Sequence, residues 1–193
     1  MRSLPRLSHK MRMDVSDETL ARAAADGDRQ AFSLLVERVY DKVFAYAWRV
    51  TGSRAEAEDL AQDICAALPV KLPHYRGEAR VTTWLYKITV NAARDRFRRN
   101  ATHAKAAEGW GDWEIARRAD EAERAERADW LRTAMTRLGQ DLRETLALVL
   151  DGVTQAEAAA ILDVPEGTVA WRISEAKKKL KAMNEAEEKE AEA

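Results

Sequence analysis

The chain has 193 residues, 46% of them hydrophobic and 34% charged, with a net charge of −1. That length holds one domain or two small ones with an apolar core, and no apolar run is long enough to cross a bilayer. A single cysteine, Cys65, excludes an internal disulfide, and His9, His74 and His103 lie scattered, so no metal site or cofactor is expected.

No segment alternates apolar and polar residues over a useful length, and the chain reads as all-α. Residues 1–13 are basic and lead into no apolar signal core, which predicts a flexible N-terminal arm and a cytoplasmic protein. Ser16 caps a first short helix that Gly27 stops. A second helix is predicted from about Arg29 to Val50, with Phe32, Leu35, Val36, Val39, Val43 and Ala47 on its apolar face. Ser53 and Glu56 form a capping box that opens a third helix through about Leu68, striped by Ala57, Leu60, Ala61 and Ile64. Cys65 falls within that apolar pattern and reads as a small core residue. Pro69 and Pro73 bound an irregular stretch to about Arg80. Thr82 or Thr83 then caps a long helix to about Arg99.

Residues 101–129 differ in kind. Gly109-Trp110-Gly111-Asp112-Trp113 predicts a break, and residues 112–129 carry seven acids against four arginines. They read as a flexible acidic linker. A second compact unit starts near Trp130, with Leu131, Ala134, Met135 and Leu138 facing inward. Gly139 ends that helix, and Asp141 to Leu150 makes the next. Thr154 and Glu157 form a second capping box, Leu162-Asp163-Val164 a turn, and Pro165 the entry to a final helix. This is the form of a helix-turn-helix. Val169, Ile173, Ala176 and Leu180 make the buried face of its second helix. Thr168, Trp171, Arg172, Glu175 and Lys178 fall on the other side, which would enter a major groove. Residues 172–181 hold five cations against Glu175, the local excess that phosphate attraction needs. The blander reading is a helical hairpin with a solvated basic face. Residues 182–193 are an acidic tail, expected to be frayed helix or disordered.

The helix after Thr83 carries a second constellation. Leu85, Ile88 and Ala92 form one face, and Trp84, Lys87, Asn91, Arg94 and Arg98 the other. Cations track phosphates, an indole offers bases a stacking surface, and an amide can pair with a base edge, so this stripe suits partly single-stranded nucleic acid. The preceding Tyr75-Arg76-Gly77 adds an aromatic, a cation and a glycine. Trp84 could equally be a core anchor, since tryptophan usually finds burial.

Together these residues resemble the extracytoplasmic-function (group 4) sigma factors of bacterial RNA polymerase. Ala57-Glu58-Asp59-Leu60-Ala61-Gln62-Asp63 looks like the family's polymerase-binding helix. Tyr75-Arg76-Gly77 with Thr83-Trp84-Leu85-Tyr86-Lys87-Ile88 and residues 91–99 looks like its −10-element region. Pro165-Glu166-Gly167-Thr168-Val169 with Arg172 looks like its −35 reader. The resemblance implies two small helical domains, a region 2-like bundle (14–100) and a region 4-like helix-turn-helix domain (130–181). Asp59, Gln62 and Asp63 would dock on core polymerase. Tyr75, Arg76, Gly77, Trp84, Lys87, Asn91, Arg94 and Arg98 would act at the −10 element, and Thr168, Trp171, Arg172, Glu175 and Lys178 at the −35 element. Core RNA polymerase, promoter DNA and an anti-sigma factor are the implied partners, with no membrane insertion. Ala170, Trp171 and Glu175 depart from the family pattern and leave the −35 bases open. The competing readings are a helix-turn-helix regulator with a sensor half, and a degenerate sigma-like protein that sequesters an anti-sigma factor. The regulator would need neither Asp59-Gln62-Asp63 nor the Trp84 stripe, and the sequestering protein should have eroded basic stripes. No clustered nucleophile or acid–base pair suggests an enzyme.

Overall fold

A computed structural model of the chain describes residues 15–103 and 129–191. The expected N-terminal arm, and residues 104–128 of the expected linker with the Gly109–Trp113 break, lie outside the described residues. Among the described residues every regular element is helical, and no helix is long and apolar enough to cross a membrane.

Helix α1 (Asp17–Ala25) starts where the Ser16 hydroxyl accepts from the Thr19 amide at 3.3 Å. Helix α2 (Arg29–Thr51) starts on Asp28, whose carboxylate accepts from the amides of Gln30 and Ala31 at 2.9 and 3.1 Å. It buries Ala31, Leu35, Val39, Val43, Tyr46, Ala47 and Val50 along one stripe, the three-to-four spacing that keeps side chains on one side of a helix. Helices α1, α3 (Arg54–Lys71) and α4 (Val81–His103) pack around it.

Three local expectations change. Ser53 caps α3 by accepting from Glu56 N–H at 3.4 Å, but its own amide donates to Thr51 Oγ1 rather than to Glu56, so the box is half made. Helix α3 does not stop before Pro69. It continues to Lys71 and tightens into a 3-10 turn, Leu72–His74. Proline removes a single ladder bond, and Pro69 is exposed near the helix end while Leu68 and Leu72 keep that turn packed on the core. Helix α4 begins at Val81, ahead of both threonines, and its first amide donates to Glu18 Oε1 of α1 at 3.4 Å. That cap comes from a distant residue, which no local pattern reveals.

The second half holds a helix at 129–136 (α5), α6 (Gln140–Leu150), α7 (Gln155–Leu162) and α8 (Glu166–Ala191). Gly139 caps the start of α6. Both bonds of the Thr154–Glu157 capping box are present. Asp163 ends α7 in the left-handed region (φ 58°), turning the chain toward α8; aspartate is among the few non-glycine residues that adopt it readily. Val169, Ile173 and Ala176 are buried as their spacing predicts. The acidic tail is helical through Ala191, and Glu187 accepts from Trp130 Nε1 at 2.5 Å and pairs with Arg137 at 3.0 Å.

The two halves pack on each other, α6 against α2 and α7 against α4, and one apolar cluster runs from Leu20 to Ala176. Gly52 sits at this seam. Its φ of +74° favours glycine, and a Cβ there would collide with the Thr136 side chain of α5.

Candidate nucleic-acid and polymerase interface

Two faces of the first half remain open to partners. On α3, Asp59, Gln62 and Asp63 are exposed. The carboxylates of Asp59 and Asp63 face Arg96 of α4 at 3.1 and 3.8 Å. A groove of about 540 Å³ between these helices is lined by Asp63, Ile64, Ile88, Asn91 and Arg96 among others, so the acidic face and the basic stripe border one depression.

On α4, Lys87 and Asn91 are exposed, and Arg98 is exposed with an ion pair to Asp95. Trp84 is half-buried and packs against Tyr75, with ring centroids 5.3 Å apart and planes tilted by 51°. Trp84 thus anchors the 75–80 loop and leaves part of its ring open. The Tyr75 hydroxyl donates to the Ala79 carbonyl at 2.5 Å, closing that loop. Burial pushes the phenol up from its ordinary value, with Glu18 adding to the shift. Arg76 projects into solvent, and Gly77 turns the loop at φ +74° with its backbone against Arg22.

Arg94 does not lie open with the rest of the stripe. It reaches across to α6, where Nε and Nη2 donate to both oxygens of Glu144 at 3.0–3.2 and 2.7 Å. Glu144 has no exposed surface and also accepts from Gln140 at 2.8 Å. The hydrogen bonds to Glu144 raise the Arg94 guanidinium above its ordinary value, against the opposing effect of burial. Around this pair the seam is polar. Asp151 takes an ion pair from Arg49 and a bond from the Tyr86 hydroxyl at 3.3 Å. Arg143 donates to the Val50 carbonyl at 2.9 Å and lies over Phe97, and burial lowers its guanidinium from the ordinary value. Arg132 covers Trp48 with its guanidinium 4.6 Å from the ring centroid.

Sequence reading missed Glu144, Arg49, Asp151 and Arg143 as a set. One signal was present: the second half of α6, Leu146 to Leu150, is apolar at five consecutive positions, and Leu142 and residues 144–148 are all buried. Such a helix must be enclosed on several sides, so its charged residues must find partners elsewhere in the chain.

In the second half, Trp171 and Lys178 are exposed, while Thr168 and Glu175 are half-buried. Arg172 corrects the face assignment. It is only 9% exposed, and its Nη2 donates to Asp141 Oδ2 of α6 at 2.7 Å. It follows Trp171 by one residue, or about 100° around the helix, which turns it from the open face toward α6. Arg172 clamps α8 onto α6 instead of projecting toward a groove. The Cys65 thiol is half-buried and pushed up by burial, which fits a packing residue.

Comparison with known proteins adds the last observation. Residues 35–103 match Sigma-70 region 2, and residues 128–180 match Sigma-70 region 4. The ECF RNA polymerase sigma factor SigM of Mycobacterium tuberculosis is 31% identical over 170 residues, 88% of this chain and 85% of SigM. The ECF RNA polymerase sigma-E factor of Escherichia coli is 31% identical over 179 residues, 86% of this chain and 93% of its own. The chain belongs to the extracytoplasmic-function sigma factors. Its fold is similar to CnrH, solved in complex with the cytosolic domain of CnrY, with a TM-score of 0.66 and 29% identity over 88% of this chain and 97% of CnrH. It also has the fold of the sigma factor RpoE of Bartonella quintana, solved with the anti-sigma factor NepR (TM-score 0.67, 23% identity, 80% and 96% covered). A sigma factor is a transcription initiation subunit, and the order of its two halves is the order found here.

Proposed function

We propose that this sigma factor docks on core RNA polymerase through Asp59, Gln62 and Asp63. It holds the opened −10 element on Tyr75, Arg76, Gly77, Trp84, Lys87, Asn91, Arg94 and Arg98. It reads the −35 duplex with the exposed face of α8. Residues 14–100 serve the first two tasks and 130–181 the third. The protein works in the cytoplasm, carries out no bond chemistry itself, and directs a stress-responsive regulon under an anti-sigma partner.

The observation that carries this reading is the open stripe of Lys87 and Asn91 beside the packed Tyr75–Trp84 ring pair, in one chain with a capped helix-turn-helix. Opening DNA costs a few kcal/mol per extruded base. Cations on phosphates and stacking on the half-open indole offset that cost. Arg94 joins only when the two halves part, because in the closed arrangement Glu144 holds it. Release exchanges one charge-assisted partner, a carboxylate, for another, a phosphate. The fold match to CnrH, solved in complex with the cytosolic domain of CnrY, supports a protein partner for this chain.

The test is run-off transcription with purified core polymerase on a genomic promoter library. Specific starts above the core-alone background are expected, and their absence would sink the proposal.

A further inference from the structure

Among the phenylalanines, tyrosines and tryptophans of the described residues, only Trp171 is exposed, with 61% of its surface open to solvent. Tryptophan is rarely left so open in a folded protein. It sits in the second turn of α8, close to the N-terminal end that approaches base edges when such a helix enters a major groove. The exposed residues around it are small or acidic: Glu166, Gly167, Ala170 and Ser174. The exposed lysines come later, at 177, 178, 179 and 181. Arg172, the one cation of the first two turns, is turned inward to Asp141. The usual hydrogen-bonding reader of a guanine edge, an arginine or lysine, is therefore missing from the open part of those turns.

We infer that Trp171 is the specificity-determining residue of the −35 half, and that it reads the 5-methyl group of a thymine by apolar contact. The inference rests on the −35 role proposed above and names the chemistry of that site. Two features support duplex DNA as the occupant. The lysines following Trp171 on the same helix supply the phosphate attraction that would seat the helix in a groove. Gly167, Ala170 and Ser174 carry almost no side chain, so the backbone of α8 can come close enough for an indole to reach the groove floor. Thymine presents the apolar group in that groove, and apolar side chains are the ones that contact it. Glu175, one turn on, is repelled by phosphates and therefore belongs over the base edges too, where it can accept from an exocyclic amine.

The experiment uses the full-length chain with core polymerase. The −35 sequence is first selected from a promoter library randomised at those positions. Each thymine of the selected element is then replaced by deoxyuridine, which removes only the methyl group. For the wild type, one replacement should weaken binding roughly fourfold, the value of one buried methyl-sized group. With Trp171→Ala, affinity for the thymine promoter should fall at least as far, and the same replacement should have no further effect. Thermal denaturation checks that the variant is folded, as expected for so exposed a residue. A selected element without thymine, a wild type indifferent to the methyl, or an undiminished deoxyuridine effect in Trp171→Ala would each overturn the inference. So would a variant with normal promoter discrimination that has lost affinity for a protein partner, since Trp171 would then be a protein contact. If the wild type initiates nowhere, the −35 role itself has failed; if it initiates and Trp171 proves indifferent, only the present inference has.

Discussion

Arg94→Ala removes one member of the ion pair that ties α4 to α6 and strands the other. Glu144 is fully buried, and Arg94 supplies three of the contacts to its oxygens. Taking one partner from a buried pair costs about 3–5 kcal/mol, because the remaining charge is left without compensation. Two features of the site place the loss at the lower end, about 3 kcal/mol. Arg94 is 29% exposed in its side chain, so water already reaches the pair, and Gln140 still donates to Glu144 at 2.8 Å after the change. Moving α6 off α2 and α4 would expose the stranded carboxylate fully to water. The variant should therefore unfold earlier in urea and also show a larger radius of gyration by small-angle X-ray scattering. Adding Glu144→Gln removes the charge and should restore 1 kcal/mol or more, roughly the desolvation penalty of a stranded polar group. A loss below about 1 kcal/mol with an unchanged radius would refute the reasoning, as would a double variant no more stable than Arg94→Ala. Arg94→Ala is for the same reason a poor probe of DNA contact, since a transcription defect would mix two causes.

The stripe is better tested at Lys87 and Asn91, which are exposed: the double alanine variant should slow open-complex formation at least tenfold by permanganate footprinting while core affinity holds, one charge-assisted contact being worth about 1.5–3 kcal/mol. Asp63→Arg should weaken core polymerase binding by fluorescence anisotropy with little change in melting temperature, because the side chain is exposed; unchanged affinity rejects the docking face. Gly52→Ala should destabilise by more than 1 kcal/mol in urea melts, from the left-handed backbone and the collision with Thr136, and adding Thr136→Ser should recover only the steric part. The Thr154 side-chain hydrogen bond, then its backbone amide, hold the Glu157 carboxyl below its ordinary value. A lowered carboxylate stabilises the fold above its unfolded value and loses that contribution as pH falls through the folded one. Thr154→Ala should thus cost about 0.5–2 kcal/mol at neutral pH, and the difference from wild type should shrink in acid. A constant difference from pH 7 to pH 3 would reject the carboxylate's part in the cap.

Local chemistry made much of this protein legible in advance. Ser16 and Thr154 act on amides three residues away, Asp163 turns the chain within one residue, and the spacing of Val169, Ile173 and Ala176 reports a helix face directly. Such features depend on neighbours in the chain, and a linear reading contains them. The order of a polymerase-type helix, a basic aromatic stripe and a helix-turn-helix was likewise readable, and with it the family. What the tertiary structure alone decided is where long-range partners lie. Glu18 caps α4 from 63 residues away. Arg94 and Glu144 meet across 50 residues, and Arg172 turns to Asp141 across 31. Periodicity assigns a charged residue to the polar side of its helix, but it cannot say whether water or another helix covers that side. Here α6 covers both Arg94 and Arg172, and that placement moves each of them from an open DNA-facing surface into the packing of the closed molecule.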